Sequence, residues 1–371
     1  ATNATANAAS ARATNATANA ASARATNATA NAASARATNA TAQAAENATD
    51  GACGGAIACG TIAGNGFVFS CRTAGPANGT GVLLLHGFPE WSAMYAGLME
   101  TLAAKGYRSV ACNQRGYSPG ARPSDEAAYF SPTLAADAVA VAAAAFGATA
   151  TFHLVGHDHG ALLGWTIAAT HPALLRSYTS LSIPHPDAFS AGLYGETADL
   201  EQQMASQYFT TFVLNNSASL HFGFYYHAMA CADPTPAMGS FESETEFQRA
   251  LWWYNGAFDA GVMAMPPVFS AAFLLEHGAF AAAALRGLFE LPEDGGAPQK
   301  TPTGAVAVDA LYVCGTSDAA ILCDDAYARA TAAYVAGDYR HLAVDCGHDL
   351  LACDDAAETA KVVAAVVSRL A

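Results

Sequence analysis

The 371-residue chain is poor in charge and poorest in basic residues. Charged side chains make up 13% of it, and 16 Lys and Arg stand against 31 Asp and Glu, for a net charge of −15. A surface of that sign repels both a phosphate backbone and an anionic bilayer, which argues against nucleic-acid binding. No run of about 18 residues is continuously apolar, so no membrane span is expected. The sequence opens at Ala1 without Met and without a basic segment leading into an apolar one, as expected if a signal peptide has been removed or was never recorded. Nine cysteines are too few for a disulfide-built miniprotein, and their odd number leaves at least one unpaired within a monomer. Three fall early (Cys53, Cys59, Cys71) and four late (Cys314, Cys323, Cys346, Cys353). At 53% hydrophobic residues the chain has material for a sizeable core. At about 150 residues per domain, its length suggests two domains or one large one.

The first fifty residues lack Leu, Ile, Val and Phe altogether and have nothing to bury. They repeat ATNATANAASAR three times and begin a fourth copy at Ala37. On a helix a twelve-residue period rotates each copy by about 120°, so Thr2, Thr14 and Thr26 do not share a face. A flexible or loosely helical stalk over 1–50 is expected. Asn-x-Thr/Ser triplets at Asn3, Asn15, Asn27, Asn39 and Asn47, with Asn78 and Asn215 further on, are candidate glycosylation sites. Expansion of one repeat would also duplicate any triplet it contains, so both readings stand. Together with the cysteines they favour an extracellular or secretory location, with the cytoplasm as the alternative.

From Gly51 the pattern becomes globular. Strand-like runs at Ala56–Ile62, Gly66–Cys71 and GVLLLHG (81–87) lead into a helical stretch over Trp91–Lys105 and a strand at Tyr107–Cys112. A helix over Leu134–Ala145, the strand TFHLVG (151–156), a helix from His159 and a strand over Ser177–Ile183 follow. After 300 the alternation resumes: strand Ala305–Cys314, helix Asp325–Val335, strand His341–Val344, helix Glu358–Leu370. Strands alternating with helices predict an α/β fold, with a mostly parallel sheet and helices on both faces. Residues 187–300 read as aromatic-rich helix without strands, a lid inserted over the strand C-termini. The domains expected are the repeat (1–50), a core built from 51–186 and 301–371, and a helical cap (187–300).

The chemistry converges on Gly156-His157-Asp158-His159-Gly160, between a strand and a helix. Glycines two residues to either side permit a tight turn that lifts the middle side chain clear of the sheet. A carboxylate there can attack a saturated carbon and form an ester. Downstream, Asp318 in GTSD can orient an imidazole, and His348 in CGHD can be that imidazole. Upstream, His86-Gly87-Phe88-Pro89 follows a buried strand, and the N–H groups of Phe88 and His159 can form an oxyanion hole.

HGFPE (86–90), NQRGYSPGARP (113–123), VGHDHGA (155–161), SIPHPDAF (182–189), GTSD and CGHD together resemble the α/β-hydrolase superfamily, and within it the epoxide hydrolases, over about residues 55–370. The resemblance implies an α/β-hydrolase fold with an inserted cap and no cofactor. It also implies two cap tyrosines that donate to an epoxide oxygen; Tyr208 in QMASQYFTTF and Tyr254 in ALWWYNGAF match them. The implied reaction opens an apolar epoxide through an Asp158 ester, which His348 and Asp318 help water to hydrolyse to a vicinal diol. The sequence departs from the family at His159, Asn255 and the DLLACDD segment after His348.

The rival readings are a haloalkane or haloacid dehalogenase using the same triad, and a secreted structural or binding glycoprotein on a hydrolase scaffold. Places where a haloacid enzyme would carry Arg hold His159, Ala161 and Leu162, whereas Trp252 or Trp253 can serve as a halide donor. Phe209, Phe212, Phe222, Tyr225, Trp252 and Trp253 predict an apolar pocket for a small substrate. Tyr225-Tyr226 is a rival donor pair. Asp324 and Asp325 are rival acids better suited to capping a helix, and Cys346 reads as a structural thiol or bridge partner. His153, His157 and His159 straddle a turn without further ligands at metal spacing, and no metal is expected.

Overall fold

The computed structural model describes residues 53–194, 198–214, 241, 243–259 and 303–371. Asn3, Asn15, Asn27, Asn39 and Asn47, the whole repeat, Asn215, Phe222, Tyr225, Tyr226 and Cys231 lie outside these residues. Asn78 is exposed in the turn after the second strand.

Eight strands form one sheet: β1 Ile57–Gly64, β2 Phe67–Ala74, β3 Gly81–Leu85, β4 Arg108–Cys112, β5 Phe152–His157, β6 Leu175–Leu181, β7 Ala310–Gly315 and β8 Tyr339–Val344. Their order is β1-β2-β4-β3-β5-β6-β7-β8. The first two pairings, β1–β2 and β2–β4, are antiparallel and all the others parallel. The fully buried run GVLLL explains why β3 sits inside the sheet: both of its faces are covered. Val82 and Leu84 join the core under α1 (Ala96–Ala104) and the C-terminal helix, while Leu83 and Leu85 pack towards α2 (Ser131–Phe146) and α3 (His159–Thr170).

The remaining α-helices among the described residues are α4 Pro186–Tyr194, α5 Leu200–Ala205, α6 Gln207–Leu214, α7 Glu244–Asp259, α8 Asp325–Ala332 and α9 Ala356–Leu370. Helix α9 starts on the Asp355 carboxylate, which accepts the Ala357 N–H, and buries Val362, Val366 and Leu370 on one stripe. Among the described residues between 187 and 300 there is no strand, and no helix is long and apolar enough to cross a membrane.

Three expected boundaries move for identifiable reasons. The helix expected from Trp91 begins as a 3-10 turn over Ser92–Tyr95, because Asn113 takes both the N–H and the hydroxyl of Ser92. Helix α2 starts three residues earlier than Leu134, with Pro132 tolerated in its first turn. Strand β7 starts at Ala310 and not Ala305, since Val306 exchanges its backbone bonds with Tyr334 and Ala336.

A buried ion pair joins the loop after β4 to the middle of α2. Arg115 grips both oxygens of Asp137 at 2.7 Å and donates to the Ala128 carbonyl, and Asn65 donates to the same carboxylate. Asp137→Ala leaves the guanidinium buried without its counter-charge and is expected to destabilise the fold by about 3–5 kcal/mol. Arg115→Met/Asp137→Leu, which removes both charges, is expected to restore most of it; urea midpoints measure both.

Helix α7 is fixed to this region. The Trp253 indole donates to the Arg115 carbonyl at 2.9 Å, Asn255 donates to the Glu126 carboxylate, and Arg122 pairs with Glu246. A Cβ at Gly256 would stand 2.1 Å from the Tyr129 carbonyl oxygen, so this helical glycine marks how closely the cap meets the core.

Candidate active site

Asp158 sits between β5 and α3 with φ 50°, the conformation of a strained turn. A Cβ at Gly156 would lie 2.3 Å from the Gly160 carbonyl oxygen, and one at Gly160 would lie 2.0 Å from that of Leu85. The glycines are therefore required by backbone approaching backbone, which presses the turn onto the end of β3. On the facing loop, a Cβ at Gly87 would stand 2.3 Å from Asp158 Cβ. That closeness lets the Phe88 N–H donate to Asp158 Oδ1 at 2.8 Å. His159 opens α3 next to the carboxylate, and its ring lies against Tyr254, 4.2 Å between centroids.

Asp158 Oδ2 faces His348 Nε2 at 3.3 Å, and His348 Nδ1 donates to Asp318 Oδ2 at 2.7 Å. Asp318 Oδ1 accepts from the N–H groups of Ala320 (2.8 Å) and Ile321 (3.0 Å), so its direction is set by its own loop. The structure thus brings Asp158, His348 and Asp318, which are far apart in sequence, into one line. Burial would push the Asp158 carboxyl up, but the His348 hydrogen bond and the neighbouring imidazoles outweigh it and hold the carboxyl well below its usual range. Burial would lower the His348 pKa, yet the two flanking carboxylates raise it well above 6.5. The two flanking carboxylates thus favour the protonated form of His348 at rest. About a quarter of the His348 side chain (25%) is open to solvent, enough for water to reach it.

Tyr208 and Tyr254 meet over this line edge to face, 6.3 Å between ring centroids. Burial, reinforced by the Asp158 charge, pushes both phenols well above 10, so both hold their protons at rest. Phe209 and Phe212 pack on Tyr254, and Phe88 closes the cluster. The two tryptophans expected beside them stand behind this cluster, Trp253 reaching it only through the His159 ring at 5.9 Å between centroids. Trp252 packs on Tyr129, and Trp253 is fully buried between His86 and Tyr117 with its N–H given to Arg115. Helical periodicity explains this, because residues adjacent to Tyr254 on α7 point away from its face.

Several supporting groups had no role assigned from the sequence. His86 is kept neutral by burial, its pKa lowered to about 3; Nδ1 donates to the Gly87 carbonyl and Nε2 accepts the Gln114 N–H. Its neighbours in HGFPE and NQRGY were the available signal, as parts of a resemblance without individual functions. His157 Nε2 and the Ser182 hydroxyl both donate to the His348 carbonyl, at 2.9 and 2.8 Å. Glu90, 3.8 Å from His157 Nδ1, has its pKa raised by burial to about 7. Of the rival acids, Asp324 caps α8 and Asp325 lies at 3.8 Å from Arg329 on its surface.

Eight cysteines form four bridges: Cys53–Cys59, Cys71–Cys112, Cys314–Cys323 and Cys346–Cys353. Among the described residues the grouping with metal-ligand spacing is Cys314, Cys323 and His341, of which the two cysteines are bonded to each other.

The profile of the alpha/beta hydrolase fold family matches residues 81–352. The AB hydrolase superfamily protein YfhM of Bacillus subtilis is 32% identical over 130 residues, 35% of this chain and 45% of that protein. Epoxide hydrolase B of Mycobacterium tuberculosis is 39% identical over 114 residues, 31% of this chain and 32% of its own. The chain thus spans less than half the length of these curated relatives. An epoxide hydrolase from Bacillus megaterium, solved with its product, is similar in structure with a TM-score of 0.61 at 18% identity, covering 84% of this chain and 99% of that one. An epoxide hydrolase from Vigna radiata gives 0.57 at 20% identity over 84% and 98%. At such identities these structures speak to the fold.

Proposed function

The chain belongs to the alpha/beta hydrolase fold family, and from that premise we propose that it is an epoxide hydrolase acting through an ester on Asp158. One observation carries this: an ionised, buried carboxylate with Oδ1 held by the Phe88 N–H and Oδ2 beside His348, beneath two protonated phenols. The epoxide hydrolases among the relatives support the substrate class.

Oδ2 attacks a ring carbon, the ring C–O bond breaks, and its electron pair stays on oxygen, which takes a proton from Tyr208 or Tyr254. The phenols suit this role because their protons leave only for a strong base such as an alkoxide. Once the ester has neutralised Asp158, His348 gives up its resting proton, which restores the phenol, and then takes a proton from the water that attacks Cγ of the ester. Charge building on Oδ1 is met by the Phe88 N–H. The acyl C–O bond breaks, and the diol leaves with a proton as Asp158 returns to its carboxylate.

The dehalogenase reading has less support, because the Trp253 N–H is spent on Arg115 and Trp252 stands against Tyr129. The structural-glycoprotein reading does not account for an assembled triad under two phenols. Incubation with styrene oxide and, separately, a chloroalkane tests all three. Diol without halide release is expected; halide release alone would replace the proposal with the second reading, and no turnover of either with the third. Tyr208→Phe/Tyr254→Phe is expected to lower kcat/KM for the epoxide by about 10²–10⁴-fold with the fold intact by circular dichroism.

An extracellular or secretory location belongs to the same proposal and is supported by the four bridges. Thiol titration of unreduced protein under denaturing conditions is expected to find one thiol per chain; nine would overturn it.

A further inference from the structure

Two of the four bridges enclose the two residues that the ester-hydrolysis step needs. Cys314 lies at the end of β7 and Cys323 just before the Asp324 cap of α8, so the bridge, spanning nine residues, closes the loop that carries Asp318. Cys346 follows β8, and its bridge to Cys353, spanning seven residues, closes the loop that carries His348. The loops are also stitched to each other. Ser317 N–H donates to the Cys346 carbonyl at 3.0 Å, and a Cβ at Gly315 would stand 2.3 Å from the carbonyl oxygens of Cys346 and Gly347. Asp158 has no such clip and needs none: it is fixed by regular structure, between β5 and α3, with its N–H on the Leu181 carbonyl and its own carbonyl capping α3. The nucleophile is thus placed by the sheet, and the acid–histidine pair by two covalently closed loops.

We propose that Cys314–Cys323 and Cys346–Cys353 are positioning bridges for the second half of the reaction, so that a dithiol which opens them arrests the enzyme as its Asp158 ester. The inference rests on the epoxide hydrolase reading above. In each opening the dithiol gives two electrons and two protons to the bridge, which becomes two thiols, while the dithiol closes to its own disulfide. Ring opening needs Asp158 and the phenols, none of which the bridges hold, and continues. Ester hydrolysis needs His348 aligned with both Asp318 and the ester, and slows, because a displacement near 1 Å costs on the order of 10²-fold. One of the other bridges provides the control: Cys53–Cys59 ties the start of β1 to the segment before it, at the sheet edge opposite β7 and β8.

The test uses the full chain in four forms: wild type, Cys346→Ser/Cys353→Ser, Cys314→Ser/Cys323→Ser and Cys53→Ser/Cys59→Ser. Each is assayed with styrene oxide for kcat and KM and quenched during turnover for the mass of the peptide containing Asp158. Both loop variants are expected to lose about 10–100-fold in kcat with KM falling in parallel, and to accumulate the alkylated peptide. The Cys53/Cys59 variant is expected to match wild type. Folded wild type treated with dithiothreitol is expected to show the same accumulation and to recover turnover on reoxidation, which covers a variant that fails to fold. Unchanged kcat in the loop variants, or lost turnover without the alkylated peptide in both the variants and the reduced wild type, overturns the proposal. A His348→Gln control separates the two readings: if it traps ester and the opened loops do not, the positioning role alone falls. If it traps none, the epoxide hydrolase reading falls and takes this one with it.

Discussion

Asp158→Ala is expected to bring diol formation to the uncatalysed background, a loss of about 10⁴-fold or more. The loss is total because two separable functions leave together. The attacking oxygen disappears, so no ester forms, and direct attack by water would lack the close approach that the elbow gives to Oδ2. The electrostatics also change. Asp158 is one of two carboxylates that raise the His348 pKa, and without it Asp318 alone opposes the lowering by burial. His348 in the variant is therefore expected to titrate at lower pH than in wild type, a shift that NMR of the imidazole can follow even though the variant turns nothing over. The Phe88 N–H is left without its acceptor, so a modest fall in Tm is expected as well. Measurable diol formation by Asp158→Ala would remove the nucleophile assignment.

The parts of this site that were legible in the sequence are those set by local rules. GVLLL reads as a strand covered on both faces, and GHDHG between a strand and a helix reads as a tight turn; in the structure neither Gly156 nor Gly160 has room for a Cβ. Both statements concern a few adjacent residues, and both the buried strand and the turn are present. Asp318 and His348 follow the nucleophile in the expected chain order, and the sheet order places their loops beside the elbow. What escaped depends on contacts between distant segments. Trp253 reads as pocket lining in the sequence, but its indole is committed to the Arg115 carbonyl, 138 residues away in sequence. The Asn255 departure acquired a meaning only when Glu126 appeared opposite it. The cysteine pairing was equally hidden, although the late pairs are close in sequence, because spacing does not show which loops lie side by side.

His348→Gln is the second large effect and the more diagnostic one, since it should stop turnover by about 10⁴-fold or more while leaving ring opening in place. Glutamine keeps a polar group near Asp318 but cannot take a proton from water. One equivalent of epoxide is therefore expected to be consumed per chain, with the mass gained on the peptide containing Asp158. The wild-type pH profile follows from the same residue. In the free enzyme two carboxylates raise the His348 pKa well above 6.5 and favour the protonated ring, which cannot act as a base. Ester formation turns Asp158 from an anion into a neutral group, and one of the two stabilising charges is gone. The His348 pKa then falls, and the proton it sheds can replace the one a phenol gave to the alkoxide. Alkylation thus switches the imidazole into the form the next step needs. The half-maximal pH of kcat, which reports the ester, is expected to lie below the pH at which His348 titrates in the free enzyme. For stability the sign is opposite: the raised pKa favours the folded state most below pH 6.5, and that contribution is lost as pH rises through the folded-state value. Coincidence of the kcat limb with the free-enzyme titration of His348 would show that the ester leaves the imidazole's charge unchanged, contrary to a nucleophile and base that share one electrostatic site.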